Sequence, residues 1–471
     1  METNWAESEL RGTKLGDRRR VKTLVRTVTA LFNRPQLSFS AALGNGTRQA
    51  AGDLFQHVDT RVAEVIAGHV ASTAARCRGY DRVLVAQDTT YFTYGQEQIV
   101  GLGPLNGSAR GMVGHAALAL SPDGVPLGVL ALRLWGNTDT PVPGYELQLD
   151  PEVVRCESAK WEVTLASTQE ALPAGPDLLV VADRESDVTS YLRAPRRPGV
   201  DLLLRAVGGR KVNGATGEAD QLQTNRGVLA EVVAQAPVLG PHTVAVPALS
   251  AQPGRAAQKA RTTTLEIRVA AVTLPAVAAT RRRPGQPAVP LWAILAVEPE
   301  PPAGIPPLRW LLLTTLAVDD LAAATEMIAH YAQRWTIERL HYTLKSGLKA
   351  ESLQIDDAHS LSHCLATYYI VAWRLLYVTH QARETPDAPP TTVLTELEVQ
   401  VLESVCGRKL PTLELAVREI AKLGGYEHYQ NKRLPPGVKV MWWGLQRLEA
   451  MVSGWAAALK SLQRKGDMTQ A

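Results

Sequence analysis

The residues with the most chemistry in them lie in one stretch, YAQRWTIERLHYTLK, between positions 331 and 345. Tyr331, Arg334, Glu338 and Lys345 recur there at offsets 0, 3, 7 and 14, the pattern Y-x2-R-x3-E-x6-K. On a helix turning roughly 100° per residue, those offsets fall within about 60° of one another. One stripe therefore carries a carboxylate with a cation on either side. Such a surface can hold a metal ion and grip a phosphate backbone together, so the next question is which other carboxylates join it.

Two stand out, because each follows an apolar run that reads as a buried strand. RVLVAQDTTYFTY runs into Asp88, and LLVVAD ends at Asp183. A carboxylate at the end of a buried strand is costly unless it is paired or metal-bound. Taken alone, Asp183 reads as a turn or helix cap and Glu338 as a surface residue of an amphipathic helix. Together, in this element order, they point to a joint site. Three oxygen donors without His or Cys suit Mg²⁺, with Mn²⁺ as a substitute. Two such ions can activate an attacking oxygen and stabilise a leaving one in phosphodiester chemistry.

The elements that must position these residues are legible in outline. At 471 residues the chain has room for about three domains. Residues 1–70 read helical and locally basic: Arg11, Lys14, Arg18, Arg19, Arg20, Lys22 and Arg26 lie beside an apolar face of Leu15, Val21, Leu24, Val25, Val28 and Leu31. That segment is a small DNA-binding unit or a solvated charge run. From Asp81 the period changes to strands. HAALALSPDGVPLGVLALRLW reads as strand, turn, strand; SAKWEVTLASTQEAL as a helix; LLVVAD as a fourth strand. Residues from about 195 to 305 alternate strand-like runs with Pro/Gly-rich and basic loops such as RRRPGQP, a β-rich insertion. RWLLLTTLAV is one more buried strand, and Asp319 or Asp320 caps the helix that carries the stripe. After ETPDAPPTT the chain reads helical, with Trp442, Trp443 and Trp455 placed for an interface or for core packing. The reading is an α/β chain in three parts: a helical DNA-binding domain (1–70), a catalytic domain (71–374) and a helical C-terminal domain (375–471). The element order is that of a ribonuclease-H-like core.

At these residues the chain resembles a bacterial insertion-sequence transposase of the DDE class, in the Tn-five-like group with the YREK signature (the IS-four family). VLVAQDTTYFTY resembles the family's first-Asp strand, and VVADRESDVTSYL its D-R-E-x-D motif. LGDRRRVKTLV resembles the segment that binds transposon ends, LRWLLLTT the strand before the YREK helix, and LGGYEHY the C-terminal end. The resemblance implies that Asp88, Asp183 and Glu338 bind two catalytic ions. It implies that Tyr331, Arg334 and Lys345 contact phosphates near the cleavage site. Trp310 matches a tryptophan on which a flipped base stacks, Arg205 a DNA-touching residue of the β insertion, and Arg19 and Arg20 end-binding positions. The activity implied is cut-and-paste transposition through a DNA hairpin, by a homodimer that synapses terminal inverted repeats and joins them to target DNA. A nuclease or resolvase that cleaves without joining, and a non-catalytic DNA-binding regulator, are the alternatives.

Other signals carry less. His359 and His363 stand at i, i+4 but lack the Glu of H-E-x-x-H, and His115 on the second strand reads as structural. No G-x-x-x-x-G-K-[ST] loop is present, so no nucleotide cofactor is expected. The four cysteines form no C-x-x-C pair, the N-terminus is polar, and no apolar run is long enough for a bilayer. A cytoplasmic, nucleoid-associated protein is expected. A net charge of +4 by itself says little about nucleic acid.

Overall fold

A computed structural model describes residues 5–34, 39–95, 99–105, 109–136, 142, 145, 153, 156–214, 226–246, 258–280, 284–426 and 438–469. The cations at 281–283 of the RRRPGQP loop and positions 427–429 of LGGYEHY lie outside the described residues.

In chain order the helices and strands are α1 (Trp5–Glu9), α2 (Arg18–Asn33), α3 (Phe39–Phe55), α4 (Val62–Cys77), β1 (Arg82–Thr93), β2 (Gly111–Leu120), β3 (Pro126–Trp135) and α5 (Lys160–Ala171). There follow β4 (Asp177–Ala182), α6 (Thr189–Leu192), β5 (Val200–Arg205), β6 (Lys211–Gly214), β7 (Arg226–Val228), α7 (Leu229–Ala234), β8 (Val238–Val246), β9 (Arg261–Leu274), β10 (Val289–Val297) and β11 (Arg309–Thr314). The chain ends in helices: α8 (Leu321–Gln333), α9 (Trp335–Tyr342), α10 (Ala358–Glu384), α11 (Glu396–Cys406), α12 (Leu413–Leu423) and α13 (Val438–Thr469). The α/β expectation holds. No helix among the described residues is long and apolar enough to cross a membrane.

Local chemistry sets the helix starts. Asp17, Asp320 and Asp357 each accept a backbone N–H of the first turn from the N-cap position of α2, α8 and α10. Of the two aspartates expected to cap the stripe-bearing helix, Asp320 does so, bonding Ala323 N at 2.8 Å. Thr395 and Glu398 form a reciprocal capping box on α11, and Gly407 ends that helix in the left-handed region.

The chain divides into two compact units. The first comprises Met1–Val83, Asp88–Pro176 and Trp335–Ala471; the second comprises Leu84–Gln87 and Asp177–Arg334. In the first unit the strands run β3-β2-β1, with β2 and β3 antiparallel. All ten residues of β2 are buried, which requires cover on both faces of the sheet. Helix α10 supplies the centre of this unit. It is buried around most of its circumference, and Trp373 on it donates its indole N–H to the Pro126 carbonyl at 2.7 Å. Helices α12 and α13 cross so closely that a Cβ on Gly444 would stand 1.8 Å from the Ile420 carbonyl oxygen.

The second unit has the strand order β1-β4-β5-β11-β10-β9-β6-β7, with β8 on β9. β4 and β5 pair in parallel; β5 with β11, β11 with β10 and β10 with β9 are antiparallel. Glu298, just after β10, accepts from Arg261, Thr263 and the Leu308 N–H, and so fixes the turn that leads into β11.

Two expectations need correction. Asp88 lies on β1, the strand read over RVLVAQDTTYFTY, but not at its end: β1 continues to Thr93, because Thr89–Tyr91–Thr93 keep strand-forming side chains and Tyr94 N bonds Arg110 O at 3.1 Å. Nor is the 331–345 stripe one helix. Arg334 N bonds the Tyr331 carbonyl three residues back, separating α8 from α9, and residues 343–347 wind as a π-helical turn. The Thr343 hydroxyl takes the Arg339 carbonyl at 2.8 Å, and Leu348 N reaches Thr343 O at 2.8 Å. Hydroxyl back-bonding of this kind bends helices.

Candidate functional site

The break at Arg334 falls on the boundary between the units. Tyr331 and Arg334 belong to the second unit, Glu338 and Lys345 to the first.

In the first unit, Asp88 faces His341. The imidazole Nδ1 lies 3.5 Å from the carboxylate Oδ2, and both side chains are mostly buried. His341 is one turn after Glu338 on α9. Tyr369 of α10 stands edge-on to the His341 ring, with centroids 6.5 Å apart. Burial, with the Asp88 charge adding to it, pushes the Tyr369 phenol far above its ordinary range. Lys345 is already engaged: its ammonium donates to the Tyr91 carbonyl and lies 3.6 Å from the Glu351 carboxylate. Glu351 in turn accepts the Thr93 N–H and hydroxyl, both at 2.9 Å. His115 is fully buried, 3.0 Å from the Thr89 hydroxyl and edge-on to Trp161, and burial keeps its pKa well below the usual value.

In the second unit five of the expected residues come together. Asp183 follows β4 and accepts the Glu185 N–H at 2.9 Å, capping a short turn. Tyr331 is buried; the Trp310 ring meets it edge-on at 5.9 Å, and the Arg334 guanidinium lies 5.8 Å from its centroid. Burial raises the Tyr331 phenol above its ordinary value; the Arg334 and Arg205 charges oppose that rise, and Asp183 adds to it. Trp310 is half-buried rather than a core tryptophan. Arg205 ends β5, the strand paired with both β4 and β11. The last Asp of D-R-E-x-D, Asp187, is internal: it accepts Val207 N at 2.6 Å and pairs with Arg210 at 2.5 Å.

At the N-terminus, Arg19 is exposed in the first turn of α2, while Arg20 turns back to donate to the Leu15 carbonyl at 3.2 Å. An open groove of about 420 Å³ beside α2 and α3 is lined by Glu7, Arg26, Thr29, Asn33, Arg34 and Thr47. Residues 2–59 match the Transposase DNA-binding family. The cryo-EM structure of a piggyBac transposase synaptic complex with hairpin DNA is also similar, over 89% of this chain and 76% of that chain, at 9% identity and a TM-score of 0.35. At that score the likeness carries no argument.

The paired histidines resolve as packing. His359 and His363 meet edge-on in α10 with ring centroids 4.4 Å apart and bond the carbonyls of His57, Phe55 and Thr60. Trp442 is buried in the first unit and Trp455 is exposed. The four cysteines are free thiols.

Asp88, Asp183 and Glu338 offer the hard oxygen donors that Mg²⁺ takes. Among the described residues no three His, Cys, Asp or Glu side chains are grouped to hold a metal ion. Sequence reasoning missed His341, Tyr369 and Glu351. His341 was within reach: at offset 10 from Tyr331 it falls roughly 20° outside the stripe.

Proposed function

We propose that the protein is a DNA transposase that binds transposon ends through its N-terminal helices and processes them at a site built from Asp88, Asp183 and Glu338. The observation that carries this reading is the family match of residues 2–59. The grouping of Trp310, Tyr331, Arg334 and Arg205 about Asp183 supports it.

In this reading the core is ribonuclease-H-like and of the YREK group. Divalent cations held by the three carboxylates would activate the attacking oxygen and stabilise the leaving one. The chain's own groups hold the DNA. Arg334 and Lys345 donate charge-assisted hydrogen bonds to phosphate oxygens beside the scissile bond, and Tyr331 adds a hydroxyl. Trp310 offers a flat face to a base taken out of the stack. A homodimer, contacting through the C-terminal helices, synapses two ends and joins them to target DNA.

The test is incubation of purified protein and Mg²⁺ with DNA carrying the element's terminal repeats and a target plasmid. Joined product is expected, and Asp183→Asn and Glu338→Gln abolish it while end binding persists. Cleavage with no joined product means a nuclease; end binding with neither product means a regulator.

A further inference from the structure

We infer that His341 is a positioning residue for the Asp88 carboxylate; this rests on the reading of Asp88 given above. Three observations within the first unit carry it. The His341 Nδ1 faces Asp88 Oδ2 at 3.5 Å, with only 8% and 14% of the two side chains exposed. The other ring nitrogen, Nε2, is buried and has no hydrogen-bond partner among the described residues, whereas Asp88 is a polar contact of the ring. Edge-on to the ring, Tyr369 has its hydroxyl buried with no hydrogen-bond partner among the described residues, in a slot kept open by Gly114, where a Cβ would stand 2.8 Å from that oxygen.

A neutral imidazole carries one N–H, and the other nitrogen is an acceptor. With the proton on Nδ1 the ring presents its N–H to the Asp88 carboxylate across 3.5 Å, and the acceptor nitrogen is the buried one. A carboxylate on a strand turns about two side-chain torsions. A donor on one oxygen fixes its plane, and with it the direction in which the second oxygen points. Glu338 and His341 stand three residues apart on α9, so they share a face. One helix thus supplies one carboxylate of the proposed site and sets the orientation of another. Partners of this kind tune the groups they hold without touching the reacting atoms.

The test combines two variants with a spectroscopic reading. His341→Asn keeps a donor near the Nδ1 position; His341→Leu keeps bulk and removes it. On prebound end DNA, His341→Leu is expected to slow strand cleavage about 10- to 100-fold, with end-DNA affinity unchanged, and His341→Asn to recover much of the rate. Independently of activity, ¹⁵N spectra of the histidines should show His341 as the Nδ1–H tautomer, with a shift that moves in Asp88→Asn. Wild-type cleavage by His341→Leu, equal slowing by both variants, or an Nε2–H tautomer overturns the inference. A wild-type protein inert on every DNA, yet with the Nδ1–H tautomer and the Asp88-dependent shift, overturns the transposase reading and leaves the pairing in place.

Discussion

Lys345 and Glu351 form an ion pair at 3.6 Å, and Glu351 is itself fastened to Thr93. The cation proposed to grip phosphate is therefore held by a carboxylate of its own unit. Both side chains are about a third exposed, so the pair is worth roughly 0–1 kcal/mol. Glu351→Gln should tighten end-DNA binding up to about fivefold, the equivalent of that energy. Lys345→Ala should weaken it and lower the slope of log affinity against log salt by about 1. Fluorescence anisotropy across a salt series measures both, and an unchanged slope in Lys345→Ala would remove the residue from the DNA contact.

Glu9, His69 and Arg76 tie α1 to α4. His69 Nδ1 meets Glu9 at 2.6 Å, His69 Nε2 accepts the Val129 N–H at 2.9 Å, and Arg76 forks onto both Glu9 oxygens at 2.8 Å. Accepting at Nε2 requires a neutral ring, and burial lowers the His69 pKa accordingly. Burial alone would raise the Glu9 carboxyl, but the His69 and Arg76 hydrogen bonds outweigh it and hold it at about 2, against 4.5 unperturbed. Its contribution is complete above pH 4.5 and is lost as pH falls toward 2. Glu9→Gln should cost about 3–5 kcal/mol at neutral pH, because Arg76 is left without its buried partner. Urea unfolding at pH 3 and pH 7 checks this; the variant should lose less on acidification than the wild type.

Glu449 on α13 behaves oppositely. Burial, with the Glu398 charge adding to it, pushes its carboxyl up to about 7, while the Asn33 hydrogen bond and Arg374 oppose the rise. The folded protein therefore holds a proton that the unfolded chain releases near pH 4.5. The contribution of this group is full below that pH and falls as pH rises to about 7. Glu449→Gln should remove this dependence and stabilise the protein at pH 8 by on the order of 3 kcal/mol. Thermal unfolding at pH 5 and pH 8 decides it; an equal fall in both proteins would mean that Glu449 is ionised without penalty.

Gly444 permits the crossing of α12 and α13, since a Cβ there would be 1.8 Å from Ile420 O. The obstacle is backbone, which cannot rotate away. Gly444→Ala should cost about 1–3 kcal/mol in unfolding experiments, despite the better helix propensity of Ala. A neutral or stabilising result would show that the two helices can separate freely.

The sequence by itself determined most of the helices and strands and which residues are candidates for chemistry. Asp320 as a cap, the apolar run before Asp183 and the Pro122–Gly124 turn are local signals, and local propensity and turn chemistry act within a few residues. The stripe was legible as a set of residues but not as an object: 3.6-residue periodicity assumes an unbroken helix, and it could not register the break at Arg334 or the π-helical turn made by the Thr343 hydroxyl. Only the tertiary structure decided that Tyr331 and Arg334 group with Trp310, Arg205 and Asp183 in one unit, and that Asp88 meets His341 and Lys345 meets Glu351 in the other. Those contacts join residues far apart in sequence, such as Asp88 and His341. They depend on how strands and helices pack, which no spacing rule along the chain encodes.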